Sequence, residues 1–239
     1  MTPQFDEIWV YLSASPLLGL TITLLAYQAA FWLYRRSGMN PLANPVLIAV
    51  TILVLLLTLT ATSYETYFSG AQFVHFLLGP ATVALAIPLY TQFSRVRALL
   101  LPVVAGLVAG SLTAALSAIA VARLFGASLP TQLSLAPKSV TTPIAMGIAE
   151  RIGGIPSLTA VLVIVTGILG AVGARWIFDA MKLRDPAIRG FAIGVASHGI
   201  GTARAFQVSE QAGAFAALAM GLNGALTALL LPLLVGWMH

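Results

Sequence analysis

The chain of 239 residues contains no cysteine, which excludes disulfides, thiol catalysis and thiolate metal sites. Charge is nearly as scarce: 8% of residues are Asp, Glu, Lys or Arg, against 59% that are hydrophobic, and the mean hydropathy is +0.96. Those values exclude an ordinary soluble domain and describe a polytopic membrane protein. Acids are the rarer sign, 7 against 12 Lys and Arg, so the net charge is +5 and the isoelectric point about 10.0. The basic residues fall in short clusters between apolar runs, where they act as topology signals, and no nucleic-acid partner is expected. Also lacking are a Walker loop, paired intramembrane carboxylates and a cluster of metal ligands. Ser139, or Ser197 beside His198, has no carboxylate nearby to orient a base, so no triad forms. The expectation is a protein that is not an enzyme, with no catalytic residue, no metal and no cofactor.

What remains is apolar length. It suffices for about six to eight membrane segments with short loops, an all-α single domain over residues 1–239 in the lipid bilayer. The N-terminal Met1–Glu7 stretch is acidic, and the apolar run after it is too long for a signal-peptide core, so it reads as a retained helix. A first span covers about Pro16–Tyr34, with a start as early as Trp9, and ends on the cytoplasmic pair Arg35-Arg36. Asn40-Pro41 and Asn44-Pro45 make a tight loop before a span over Val46–Thr62. Tyr64–Phe68 then lies outside, and Phe73–Gln92, with Pro80 and Pro88, returns inward to Arg95 and Arg97. Leu99–Leu124 carries Gly106 and Gly110 at a close-packing spacing. Gln132–Glu150 follows, then an apolar run over Ile155–Phe178, the basic cluster from Arg175 to Arg189, Gly190–Phe206 and a last span over Phe215–Trp237. Glu150 and Arg151 read as loop charges, and Asp179 with Lys182 as an interfacial pair.

Strict alternation of these segments would put the densest basic cluster outside. The conflict disappears if Gln132–Glu150 enters and leaves on the outer side and Gly190–Phe206 dips from the inner one. The two would then approach the midplane from opposite faces, as transporters arrange discontinuous helices around a site. The competing reading makes both of them full but unwound crossings. A faint internal match of Gly79–Val83 with Ala136–Val140, and of Gly110 with Gly167, suggests duplication and a third broken helix over Pro80–Pro88.

Polar side chains concentrate in two of these segments. In Ala136–Ala145, Pro137 and Pro143 forbid a regular helix, and the freed backbone groups must face protein or water. Lys138 there is an ammonium at membrane depth, costing about 3 kcal/mol unless hydrated or paired, and so either serves a ligand or snorkels to an interface. Ser139, Thr141 and Thr142 bind substrate oxygens or else satisfy freed carbonyls. The helix start at Pro143 offers unpaired N–H donors to an anion. In Gly194–Ala205, glycine weakens the helix around Ser197, His198, Thr202 and Arg204. His198 suits proton coupling or a neutral structural bond. Arg204 suits a carboxylate clamp or a membrane edge. Asn223, in the last span, reads as interhelical glue.

The runs Phe76–Ala86, Pro137–Ala145 and Ser197–Ala205 resemble the signature runs of the LrgB/CidB membrane protein family, and the similarity covers nearly the whole chain. That resemblance implies a bacterial inner-membrane protein acting with a small LrgA/CidA-type membrane partner. Family members are described as antiholin-like modulators of murein hydrolase export and autolysis. Plastid relatives act as glycolate/glycerate translocators, and bacterial pairs are linked to pyruvate. A cationic, hydroxyl-rich site fits small monocarboxylates, so transport is the expected function and antiholin-like modulation the alternative. The substrate-binding residues expected are Lys138, Ser139, Thr141, Thr142, Ser197, His198, Thr202 and Arg204, taking a small anionic substrate; homo-oligomerisation is left open.

Overall fold

The computed structural model describes residues 16–236, all of whose regular elements are helical. The acidic N-terminal stretch, the helix start at Trp9 and the Trp237 end of the last span lie outside the described residues. Among the described residues, five helical runs are long and apolar enough to cross a membrane: Leu17–Arg36, Tyr64–Thr91, Leu100–Leu124, Pro156–Ala180 and Glu210–Gly236. The chain divides into two compact units, one ending at Ala84 and the other starting at Leu85.

The first unit holds α1 (Pro16–Arg36), a short 3-10 turn at Pro41–Ala43, α2 (Pro45–Leu59), α3 (Tyr64–Phe76) and α4 (Leu78–Ala84). The Asn-Pro pairs build the tight loop as their chemistry requires. Asn40 Oδ1 accepts the Leu42 N–H at 3.0 Å, and Asn44 Oδ1 accepts those of Val46 and Leu47 at 2.9 and 3.1 Å, while each proline takes a position that needs no donor. Tyr67 bonds Thr23 between hydroxyls at 2.7 Å, tying α3 to α1. Residues 64–68 form the first turns of α3, where the Tyr64 and Phe68 rings stack with centroids 5.5 Å apart. Residues 79–83 are helical within α4, whereas residues 136–140 form a turn, so the two matched stretches differ in conformation.

The second unit begins with α5 (Ala86–Thr91) and α6 (Phe93–Ala98), short helices around Pro88 and Gln92. It continues with α7 (Leu100–Leu124), α8 (Leu129–Leu135), α9 (Thr142–Ile152), α10 (Pro156–Ala180), α11 (Pro186–Val208) and α12 (Glu210–Gly236). Helices α7 and α10 run antiparallel. The start of α7 lies beside the start of α11, where a Cβ on Gly106 would meet Phe191 at 3.3 Å and one on Gly110 would meet Val195 at 3.0 Å. The end of α10 leads into that same region, and Arg95 forms an ion pair with Asp185 at 2.7 Å. The two basic clusters therefore share one face of the bundle, which the positive-inside rule assigns to the cytoplasm.

Helices α8 and α9 leave and rejoin the opposite face. Ser134 at the end of α8 accepts the Ile155 N–H at 2.7 Å through its hydroxyl, and its carbonyl accepts the Thr159 hydroxyl at 3.1 Å, so the segment closes on the start of α10. Helix α9 ends on Gly153 in the left-handed region (φ 86°), and Gly154 N–H bonds back to the Ala149 carbonyl at 2.7 Å. Glu150 and Arg151 are exposed in its last turn rather than in a loop.

Helix α11 is itself a hairpin. Asp185 caps it by accepting the Ala187 N–H at 2.7 Å, with Pro186 in the first turn. Helical geometry fails at Ser197 (φ −131°, ψ 16°) and His198 (φ 40°, ψ −131°). Beyond the break the chain turns back: a Cβ on Gly201 would meet the Ile193 carbonyl at 2.9 Å, and Ile193 packs with Ala205. Both ends of α11 thus lie on the basic face, and α12 starts there. Gly190 and Gly194 let the α11 backbone lie directly on Ala212 and Ala216 of α12. The far part of α12 packs Leu231 and Val235 against Leu133, Ala136 and Val140 of the other hairpin. The two broken segments are therefore re-entrant from opposite faces. In the basic cluster Asp179 pairs with Arg175 (3.8 Å) and Arg189, not with Lys182, because the chain turns at Lys182 with a positive φ of 56°.

Candidate functional site at two facing hairpin tips

The first tip comprises residues 136–141. Pro137 and Pro143 interrupt the helix, and short turn bonds replace it: Lys138 N–H to the Leu135 carbonyl at 3.1 Å, and Val140 N–H to that of Pro137 at 3.2 Å. Val140 is buried and anchors the turn in the core, while Lys138 two residues before it is half-buried. Lys138 Nζ donates to the Ser139 hydroxyl at 3.4 Å, and among the described residues it forms no ion pair with any carboxylate. Thr141 stands at the N-cap position of α9, and its side chain makes no capping bond. The first amides of α9 therefore remain donors, with the positive end of the helix dipole behind them.

The second tip is Ser197-His198. His198 adopts a backbone conformation that side chains rarely take and glycine takes readily, a strain of order 1–3 kcal/mol that persists only where neighbours over-determine it. The neighbours are identifiable. Its Nε2 lies 3.0 Å from the Val163 carbonyl on α10, and its own carbonyl accepts the Thr202 hydroxyl at 2.8 Å. A Cβ on Gly167 would meet the imidazole at 2.8 Å, and one on Gly170 would collide with the Ser197 hydroxyl. Ser197, His198 and Thr202 are all at most 4% exposed.

Asn223 joins the tips. It sits at the middle of the 27-residue α12, is 1% exposed, and its Nδ2 donates to the Ser139 carbonyl at 3.2 Å and the Val195 carbonyl at 3.1 Å. Its Oδ1 accepts the Thr227 hydroxyl at 3.4 Å, and Thr227 in turn bonds Ser111 of α7 at 3.1 Å. A buried polar chain thus runs from α7 through α12 to both hairpins. Interhelical glue was legible for Asn223 in the sequence; which elements it holds was not. Ser111, Thr227 and the Val163 carbonyl gave no signal apart from polarity in an apolar span.

The structure brings Lys138, Ser139, Thr141 and Thr142 to one tip and Ser197, His198 and Thr202 to the other. Arg204 is placed elsewhere: six residues beyond His198, it lines a cavity on the basic face with Arg175, Arg184 and Arg189 and donates to Gln207 at 3.2 Å. Among the described residues no group of three His, Asp or Glu side chains is placed to hold a metal ion. Chemically, the tips offer one cation, hydroxyls and helix-start amides, a set suited to holding a small anion by charge-assisted hydrogen bonds.

Comparison with known proteins places the chain in a family. A model of the LrgB-like family matches residues 23–237. Two relatives from Bacillus subtilis (strain 168), the uncharacterized proteins YxaC and YwbG, are each 35% identical, over 92% and 93% of this chain and 95% and 98% of their own lengths. The antiholin-like protein LrgB of Bacillus cereus (strain B4264) is 30% identical over 92% of this chain and 95% of its own. No solved structure matches. With the family model covering most of the chain and relatives aligned along nearly their whole length, this multi-pass membrane protein belongs to the LrgB family.

Proposed function

We propose that the protein carries small monocarboxylates, of the pyruvate, glycolate, glycerate or lactate type, across the bacterial inner membrane. The observation that carries the reading is Lys138, a half-buried ammonium with no carboxylate partner among the described residues, at the tip of one re-entrant hairpin that meets a second from the opposite face. An intramembrane cation left without a counter-charge is expensive unless an anion visits it. Two re-entrant tips approaching the midplane from opposite sides are the arrangement by which transporters expose one site alternately.

In this reading Lys138 neutralises the substrate carboxylate, and the α9 amides with Ser139, Thr141 and Thr142 take its oxygens. Ser197, His198 and Thr202 form the facing wall, with His198 the candidate for proton coupling. A small LrgA-type membrane protein acts alongside. The name antiholin-like on relatives supports a second reading, modulation through that partner without transport. Reconstitution in liposomes, with and without the partner, separates the two. Uptake of labelled pyruvate or glycolate above that of empty vesicles is expected under a proton or sodium gradient. Uptake equal to empty vesicles under every condition would leave the modulator reading.

A further inference from the structure

The α11 tip carries one polar atom that the fold leaves unused. His198 Nε2 lies 3.0 Å from the Val163 carbonyl, and a carbonyl oxygen can only accept, so the ring hydrogen sits on Nε2 and Nδ1 is a bare lone pair. Gly167 lets α10 press against the same edge of the ring: an added Cβ would meet Cε1 at 2.8 Å and Nε2 at 2.9 Å. The imidazole is clamped, and its tautomer with it. Nδ1 has no hydrogen-bond partner among the described residues, although His198 as a whole is only 4% exposed. Nor is it sealed in. Among those residues every side-chain nitrogen or oxygen cut off from solvent has a partner, so Nδ1 borders space that a small molecule can enter.

The opposite tip has the complementary character. Lys138 Nζ and the first amides of α9 are donors, and they suit the oxygens of a carboxylate. The two tips stand a few atoms apart, because the single Nδ2 of Asn223 reaches the Ser139 carbonyl at 3.2 Å and the Val195 carbonyl at 3.1 Å. A carboxylate held by the first tip has only lone pairs, and so does a 2-oxo group beside it. Either would meet Nδ1 lone pair to lone pair. A hydroxyl on the same carbon has a hydrogen to give. An ammonium has one too, but Lys138, which pairs with no carboxylate among the described residues, repels it.

We infer that His198 sets the substrate class: its Nδ1 accepts the hydroxyl of a 2-hydroxy monocarboxylate and thereby disfavours the corresponding 2-oxo and unsubstituted acids. The inference rests on the carrier reading above and narrows it. Val163 and Gly167 are positioning residues, since they fix which nitrogen carries the hydrogen. The role belongs to the neutral ring; a ring protonated on both nitrogens offers a donor instead and loses the preference.

The test compares three acids of one size, lactate, pyruvate and propionate, which differ only at the second carbon. Their affinities are measured by calorimetry on the purified full chain, with and without an LrgA-type partner. The parent should bind the preferred enantiomer of lactate roughly tenfold more tightly than pyruvate or propionate. His198→Gln places an amide donor where Nε2 meets the Val163 carbonyl and a methylene where Nδ1 stood. In that variant the three acids should bind with nearly equal affinity, lactate having lost its advantage. A merely structural role for His198 would weaken all three alike and leave their ratios unchanged, so a parental ratio in His198→Gln overturns the inference. So does a parent that binds pyruvate or propionate as tightly as lactate, and that result leaves the carrier reading standing. If none of the three acids binds the parent in either preparation, the carrier reading falls and the inference with it. The parental ratios need no variant, so they decide the matter should His198→Gln not fold.

Discussion

Lys138 and Asn223 occupy neighbouring positions in the site and make opposite demands on a substitution. Removing the Lys138 ammonium relieves a desolvation cost, so Lys138→Met should insert and fold at parental levels, yet lose the stabilisation that, in the proposed carrier, pyruvate or glycolate should give the parent in detergent. A charge-assisted contact of roughly 1.5 to 3 kcal/mol sets the expected loss at about tenfold to over a hundredfold in affinity. Lys138→Arg should recover only part of it, because the larger fork cannot place its donors where a compact ammonium does. Ligand-induced shifts in Tm measure this; a Lys138→Met protein stabilised as much as the parent would remove Lys138 from the site. Asn223 is needed by the fold itself. Asn223→Ala leaves the Ser139 and Val195 carbonyls without their donor, at about 1–3 kcal/mol for each buried group left unmet. Asn223→Asp keeps the shape but turns a donor into an acceptor facing two acceptors, so its Tm should fall below that of Asn223→Ala. Equal Tm values for the two variants would mean that volume, not donation, is what the position supplies.

At the scale of elements, the hairpins depend on glycine where another helix lies against the break. Gly170→Val would drive a branched side chain into Ser197, and overpacking of this kind costs about 1–3 kcal/mol, here concentrated on the α11 tip. The expected outcome is a lowered Tm together with faster amide exchange across residues 195–200. A change in Tm with exchange unaltered there would place the strain elsewhere. How far these elements could be read in the sequence depended on the range of the forces that make them. Pro137 and Pro143 act on adjacent backbone, so the first break was legible with its polar residues. The glycines of α11 marked a weak point but not its shape: re-entry and unwound crossing share one local sequence, and what decides between them is Ile193 meeting Gly201 and Ala205 after the turn. The tie at Asn223 was illegible because its acceptors are main-chain carbonyls 84 and 28 residues away, and any residue can supply a carbonyl. Arg204 was read with the tip because the two are neighbours along the chain; a helical arm separates them in space.

For the molecule as a whole, re-entry from both faces fixes which loops water can reach. The absence of native cysteine makes single-cysteine labelling unambiguous. Labels at Thr66 and Ser128 should react with a membrane-impermeant maleimide from outside intact cells, and labels at Ser37 and Lys182 only after the inside is opened. Outside reactivity at Lys182 would overturn the topology, since Arg95 and Asp185 hold that face together. A further consequence lies in the stoichiometry of one side chain. A carboxamide carries two hydrogens, and Asn223 gives one to the hairpin that enters from each side of the membrane. Parting either hairpin from α12 forfeits one bond and leaves the other whole, whereas parting both forfeits two. If each loss costs about 1.4 kcal/mol, the doubly parted molecule is roughly tenfold rarer than either singly parted one. In the proposed carrier, a continuous water path through the membrane would require that rarer form, so the amide that bonds both hairpins would also disfavour a leak.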